Sequence, residues 1–201
     1  MTTTTLYLIR HGETDDNRNG LLAGRTDSPL NEHGRAQARR LGERFAEERP
    51  QVDHIVVSPL QRTMETARLV FGDSAVFSLD PDLREMDFGI WENLHYADIA
   101  RRYPELWQTW AQDWAHTPIP EAETFGAFIR RVTEAVERLV ADRPGEKIAL
   151  VTHGGCVRVI LAQYLCGSAD DHYWRFRADN ATLTALDWTR GGAVLTRFNH
   201  R

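Results

Sequence analysis

The sequence predicts an α/β fold: a three-layer α/β/α sandwich with a mostly parallel sheet and helices on both of its faces. Three observations lead to this prediction. Short apolar runs at residues 4–10, 53–58 and 147–152 have the length of buried strands. Longer segments with helical spacing lie between and after them. The chain has 201 residues, 42% of them hydrophobic, which is enough for one domain with one core.

In the first half of the chain, strands and helices alternate. The predicted elements are a strand at 4–10, an ordered loop at 14–31, a helix at 31–48, a strand at 53–58, a helix at 58–71 and a strand at 75–79. The loop is rich in Gly, Asp and Asn. Asn31 can cap the first helix and Pro50 ends it. Pro59 suits the first turn of the second helix.

The second half begins with an irregular region and then returns to alternation. The predicted elements are short helices at 81–123, an amphipathic helix at 124–141, a buried strand at 147–152, a helix at 154–165 and a hairpin of strands 181–188 and 193–199. Trp107, Trp110 and Trp114 are spaced to share one helix face, which either packs on the domain or lines a pocket. We expect the short helices to cover one end of the sheet.

Composition excludes several classes of protein. The net charge of −5 and pI of about 5.9 argue against a nucleic-acid binder. No run of about 18 apolar residues indicates a membrane span, and no signal peptide is apparent. Cys156 and Cys166 fall ten positions apart on one predicted helix, too far apart for a disulfide. We therefore expect unpaired thiols in a cytoplasmic protein, with no membrane partner. The sequence leaves the oligomeric state open.

Charged and polar side chains gather where three predicted strands end. Arg10 and His11 end the first strand, Arg62 lies just after the second, and His153 and Gly154 end the strand at 147–152. Ligands of open α/β sheets bind at the carboxyl ends of strands, and helix N-termini favour anions. The residues alone therefore predict an anion site with a candidate histidine nucleophile.

Each of these residues also has a simpler interpretation. A lone histidine at a strand end is more often structural, and Arg62 alone could form a surface salt bridge. A metal site built from His11, Glu13 and His153 is a further alternative, although a helical H-E-x-x-H zinc motif is absent from the sequence. The case for a phosphate site therefore depends on the whole set of motifs.

Five ordered blocks resemble the histidine phosphatase superfamily, also called the phosphoglycerate mutase-like family. They are Arg10-His11-Gly12-Glu13, residues 24–34, residues 58–67, residues 83–92 and Thr152-His153-Gly154-Gly155, with Asn17 at the family's spacing. The resemblance runs from about residue 5 to 160. It implies one histidine phosphatase domain over residues 1–201, in which residues 86–123 form a cap-like insertion, here called the cap segment.

The resemblance also implies a role for each site residue. His11 is the nucleophile that forms phosphohistidine, and Glu85 protonates the leaving oxygen, helped by a raised pKa beside the phosphate. Arg10, Arg62 and a protonated His153 surround the phosphoryl oxygens. The predicted substrate-binding residues are Asn17, Ala23, Gly24 and Gly154. No metal and no cofactor are implied.

Two departures from the family pattern limit this transfer. Ala23 stands where relatives often have a polar side chain, so a substrate contact there could come only from the backbone. Ala122-Glu123-Thr124 replaces a Gly-Glu-Ser-like stretch, which leaves the role of that stretch open.

The chain is compact between the acid block and the last histidine, unlike the longer mutases, and its Glu-Met-Asp-Phe-Gly-x-Trp-Glu stretch resembles the α-ribazole phosphatase and broad-specificity phosphatase branch. The implied activity is therefore hydrolysis of a small phosphomonoester, with α-ribazole 5'-phosphate as one candidate. The alternatives are a cofactor-dependent phosphoglycerate mutase and a non-catalytic binding protein on the same fold.

Overall fold

The computed structural model describes residues 2–48 and 50–201. The strands within these residues are β1 (Thr4–Arg10), β2 (His54–Val57), β3 (Ser78–Leu79), β4 (Lys147–Thr152), β5 (Leu183–Thr189) and β6 (Gly192–His200). They form one sheet in the order β3-β2-β4-β1-β5-β6. The first four strands are parallel, whereas β5 and β6 are antiparallel. The predicted mostly parallel sheet and terminal hairpin are confirmed.

The bounds of the long helices differ little from the predicted ones. They are α1 (Asp15–Arg18), α2 (Glu32–Glu48), α3 (Gln61–Phe71), α4 (Tyr96–Arg102), α5 (Pro104–Gln112), α6 (Phe125–Asp142), α7 (Gly154–Cys166) and α8 (Ala169–His172). Asn31 caps α2 as predicted, because its Oδ1 accepts the backbone N–H of Gly34 at 2.8 Å. The placement of Pro59 in the first turn of α3 is wrong, because the chain is still extended at Leu60.

The sheet separates two apolar clusters. Neighbouring residues in a strand point to opposite faces, so Leu8 and Leu150 pack with α6 and α7, whereas Ile9 and Val151 pack with α2 and α3. All four side chains are completely buried. Helices therefore cover both faces, and the three-layer prediction is confirmed.

The cap segment has a small apolar cluster of its own, around the fully buried Trp91. Trp107 and Trp110 stack at 5.3 Å and both pack against Trp91. Trp114 does not share their helix face, because α5 ends two residues before it. It packs instead on Phe125, with ring centroids 4.6 Å apart. The predicted single tryptophan stripe is therefore wrong.

Two composition-based expectations can be compared with the structure. Cys156 is buried, Cys166 is exposed, and both are unpaired. Over residues 2–48 and 50–201, no helix combines the length and the apolar character needed to cross a membrane.

Candidate active site

The carboxyl ends of β1, β2 and β4 lie next to one another in the sheet. Arg10 pairs with Thr152 and Val57 pairs with Val151, so the residues that follow each strand meet. The rings of His11 and His153 are 5.1 Å apart, centroid to centroid. Parallel neighbours thus bring together histidines 142 positions apart in sequence (153 minus 11).

His11 is held in one tautomer by its own loop. Its side chain is buried, and Nδ1 lies 2.7 Å from the carbonyl oxygen of Gly12. A carbonyl can only accept a hydrogen bond, so Nδ1 carries the proton and Nε2 carries the lone pair. Burial, and next the charges of Arg62 and Arg10, hold the pKa of His11 well below its ordinary value. The imidazole is therefore neutral, with its lone pair on Nε2.

His153 has both ring nitrogens occupied. Nδ1 accepts a hydrogen bond from Arg62 Nε at 3.3 Å, and Nε2 lies 2.8 Å from Ser58 Oγ. Since Nδ1 accepts, the proton is on Nε2, which donates to Ser58. Burial, and then the charges of Arg62 and His11, lower the pKa of His153 well below its ordinary value. In the free protein these contacts favour a neutral His153, and its protonation beside a bound phosphoryl group stays a prediction.

Arg62 is almost completely buried and mostly engaged with protein acceptors. Nη1 donates to the carbonyl of Thr26 at 2.6 Å, and Nη2 donates to those of Ala23 and Gly24 at 3.2 and 3.0 Å. With the bond to His153, four of its five N–H groups have partners within the described residues. One N–H of Arg62 Nη1 is therefore left without a partner among the described residues.

Arg10 offers more free donors. Its Nη1 donates to the carbonyl of Ala178 at 2.5 Å, which fixes the guanidinium. Its Nε is buried and has no partner among the residues that the structure describes. Burial is the largest influence on Arg10, and it lowers the pKa to about 10, so the group stays charged near neutrality. Gly154 contacts it closely, since a Cβ there would lie 3.2 Å from Arg10 Cζ.

Asn17 is oriented by a residue that the sequence analysis missed. Its Oδ1 accepts hydrogen bonds from the Thr14 backbone at 3.2 Å and from Asn180 Nδ2 at 3.1 Å. Asn180 also donates to the carbonyl oxygen of His11. Because the oxygen of Asn17 is occupied, its amide group is available as a donor to a ligand.

The side chain of Glu85 places its carboxylate at the N-terminus of α7. Its Oε2 accepts the backbone N–H of Gly155 at 2.9 Å, and its Oε1 accepts that of Met86 at 3.0 Å. A Cβ at position 155 would lie only 2.1 Å from Oε1, so glycine is required for this close approach. The helix N-terminus and a neighbouring backbone N–H therefore hold the carboxylate in place.

The segment with Ala23 and Gly24 is held by two charged side chains. Its carbonyls accept from Arg62, as described above, and its N–H groups donate to Glu92. The carboxylate of Glu92 accepts from the backbones of Gly24, Arg25 and Thr26 at 3.0–3.2 Å. Glu92 belongs to the matched acid block, but no local pattern distinguishes it from a solvated glutamate.

A cavity of about 220 Å³ opens beside these residues. Six residues singled out from the sequence line it: Arg10, Asn17, Ala23, Glu85, Gly154 and Gly155. Much of the remaining wall is aromatic: Phe88, Trp91, Tyr96, Trp110, Trp114, Phe125, Tyr173 and Trp174. His11, Gly24, Arg62 and His153 do not line the cavity. The cavity thus combines one charged wall with a large apolar wall.

The structure does not support the alternative of a metal site at His11, Glu13 and His153. Glu13 is engaged elsewhere, since its Oε1 accepts from Arg18 and Asn31 at 3.0 and 2.9 Å. Across residues 2–48 and 50–201, no group of three or more His, Cys, Asp or Glu side chains is arranged to hold a metal ion. Activity without a divalent metal stays a prediction.

Known proteins are similar to this chain in sequence and in fold. The chain is 35% identical to adenosylcobalamin/alpha-ribazole phosphatase of Escherichia coli strain K12, over 98% of this chain and 96% of that protein. The crystal structure of the alpha-ribazole phosphatase from Shigella flexneri superposes with a TM-score of 0.89, at 34% identity, over 97% and 96% of the two chains. Mycobacterial glucosyl-3-phosphoglycerate phosphatase Rv2419c superposes with a TM-score of 0.85, at 28% identity, over 99% and 100%.

A family model supports the same assignment across almost the whole length. Residues 6–201 match the histidine phosphatase superfamily (branch 1), which includes all five blocks identified in the sequence. The chain therefore belongs to the histidine phosphatase superfamily, and it is a phosphatase of that family.

Proposed function

We propose that this phosphatase hydrolyses small phosphomonoesters through a phosphohistidine at His11, and that α-ribazole 5'-phosphate is its substrate. The observation that carries the mechanism is the tautomer of His11. With Nδ1 donating to Gly12 and the ring kept neutral, Nε2 is the free nucleophile. A protonated imidazole could not attack phosphorus.

Attack by Nε2 forms the N–P bond while the P–O bond to the alcohol breaks. The phosphoryl oxygens then need donors that are already in position, since positioning and charge stabilisation supply most of the catalysis. Arg10 offers its free N–H groups, Asn17 offers its amide, and Arg62 offers the remaining N–H. The dianion also favours protonation of His153, and its field opposes the lowered pKa of the free protein.

Glu85 is positioned to supply the proton of the leaving group. In the first step the protonated carboxyl gives its proton to the departing alcohol oxygen. In the second step the carboxylate takes a proton from water, which attacks the phosphohistidine and releases phosphate and neutral His11.

The leaving group lies against the aromatic wall in this proposal. Tyr96 and Trp174 line the cavity and are 38% and 54% exposed, so planar surfaces are open to a ligand. Stacking on such rings favours a leaving group with a flat ring system. The phosphatases for α-ribazole from Escherichia coli and Shigella flexneri are similar to this chain along nearly the whole length, which supports that substrate.

The mechanism is tested by trapping the intermediate. Acid-quenched reaction with substrate labelled at phosphorus should leave acid-labile label on the wild-type protein and none on His11→Ala. The matched control is His116→Ala, because the side chain of His116 is exposed and bonds to Asp113, away from the site. Normal turnover by His11→Ala, or equal label on it, contradicts the mechanism.

The substrate is tested separately by a screen of phosphomonoesters. We expect the highest kcat/KM for α-ribazole 5'-phosphate among substrates that include phosphoserine, 3-phosphoglycerate and glycerol phosphate. A higher kcat/KM for a phosphorylated carboxylic acid contradicts the substrate but not the mechanism. The assays use a cytoplasmic pH, since a cytoplasmic location is part of the same proposal.

A further inference from the structure

The backbone that carries Glu85 is held by one arginine. Arg131, on α6, donates from Nη1 to the carbonyls of Asp82 and Arg84 at 2.6 and 2.8 Å. Its Nη2 donates to the carbonyl of Glu85 itself at 3.0 Å. Asp82 lies in a short 3₁₀ turn at Pro81–Leu83, and Arg84 and Glu85 follow it in irregular chain, so these carbonyls take no part in a strand or α-helix ladder. The guanidinium of Arg131 thus supplies donors to three carbonyls of this segment.

Arg131 is in turn fixed by Glu123. The two side chains form a fork-to-fork pair, in which Nε and Nη2 donate to the two carboxylate oxygens at 2.6 and 2.8 Å. Their side chains are only 15% and 13% exposed, so the pair is well shielded from solvent. Glu123 belongs to the stretch that departs from the family pattern, and this contact accounts for its side chain.

The opposite side of the same segment is held by the core. Thr152 Oγ1 donates to the carbonyl of Leu83 at 2.7 Å. Between Thr152 and Arg131, the carbonyls of residues 82 to 85 all have side-chain donors. The carboxylate of Glu85 then meets the N-terminus of α7 only if this backbone keeps its position.

We propose that Arg131, locked by Glu123, is a positioning residue for the acid Glu85. Arg131 touches no reacting atom, and it acts by fixing the backbone from which the Glu85 carboxyl reaches the leaving oxygen. This inference rests on the proposed function, because it requires Glu85 to be the proton donor. Misplacing a catalytic group by about 1 Å can cost about 10²-fold in rate.

The test is the ratio of kcat/KM for glycerol phosphate to kcat/KM for p-nitrophenyl phosphate. An alkoxide leaves poorly without a proton, whereas p-nitrophenolate needs little help. Arg131→Met keeps an apolar stem and removes every donor. We expect kcat/KM to fall about 10²-fold for glycerol phosphate and less than about threefold for p-nitrophenyl phosphate. Arg131→Lys should fall in the same direction, because an ammonium lacks the planar fork.

Arg138→Met is the matched control. Arg138 lies two turns further along α6 and bonds the carboxylates of Asp80 and Asp82, but its side chain is 48% exposed and it touches no carbonyl near Glu85. Its ratio should equal that of the wild type. In the double variant Arg131→Met/Glu85→Gln, we expect no loss beyond that of Glu85→Gln.

Three results would overturn the inference: an equal loss on both substrates in Arg131→Met, no loss on either substrate, or additive losses in the double variant. If the Arg131 variants do not fold, Glu123→Gln is the test variant. A loss of kcat/KM on glycerol phosphate but not on p-nitrophenyl phosphate supports the inference. An equal loss on both substrates, or no loss, refutes it. Failure of the proposed function is distinct from these, because Glu85→Gln itself would then keep the wild-type ratio.

Discussion

Stability should fall as the pH is lowered below about 6.5, because two buried histidines are held neutral. Burial is the main cause of the low pKa of His11 and His153, and Arg62 is the next. Since the folded pKa is depressed, the unfolded chain binds more protons between that value and about 6.5. The stabilisation is therefore complete above about pH 6.5 and is lost as the pH falls towards the folded values.

The size of the effect follows from the unfolded chain alone. With an unfolded pKa of about 6.5, each histidine costs about 1.3 kcal/mol between about pH 7 and about pH 5.5 if the folded form takes up no proton. The pair therefore costs about 2.5 kcal/mol, a large share of a typical stability of about 5–15 kcal/mol. Carboxylates with a lowered pKa, such as Asp179, lose their contribution only at lower pH.

Urea unfolding followed by circular dichroism would measure this loss. The buffer must lack phosphate and sulfate, because an anion beside the histidines would favour their protonation. In His153→Asn the loss between the two pH values should halve. His116→Asn is the control, since the pKa of His116 is raised by Asp113 and its contribution has the opposite sign.

A free energy of unfolding that stays constant between pH 7 and pH 5.5 would refute the reasoning. It would mean that at least one buried histidine takes up a proton in the folded protein as readily as in the unfolded chain. An unchanged loss in His153→Asn would assign the effect to other groups.

Three further predictions concern activity. Gly155→Ala should reduce kcat/KM for glycerol phosphate about 10²-fold, because its Cβ would lie where the carboxylate of Glu85 now lies; full activity of the folded variant would contradict this. Turnover should survive dialysis against EDTA, and loss that zinc or magnesium reverses would show that a metal takes part. Trp110→Leu, but not Trp107→Leu, should lower the kcat/KM ratio of an aromatic phosphomonoester to glycerol phosphate by about 2- to 10-fold, because Trp110 lines the cavity and Trp107 does not; equal ratios would place substrate selection elsewhere.

The elements that the sequence predicted best are those whose local pattern is continuous. The predicted bounds of β1 and β4 agree with the structure, because strands buried on both faces are apolar throughout. The predicted strand at 75–79 has only two residues in the structure, at an exposed edge of the sheet. An edge strand has fewer partners to reinforce its pattern, so its length depends on β2 rather than on its own residues.

By itself, the sequence determined the family, the parallel sheet and the identity of the residues at the strand ends. It could do so because ordered motifs and apolar periodicity can be read from residues that are close together in the sequence. The tertiary structure alone decided the chemical state of those residues. The proton of His11 lies on Nδ1 because a carbonyl accepts from it, burial lowers the pKa of both histidines, and Glu85 is held by a guanidinium 46 residues away. Hydrogen-bond partners and desolvation are set by contacts across the fold, and these determine protonation and position.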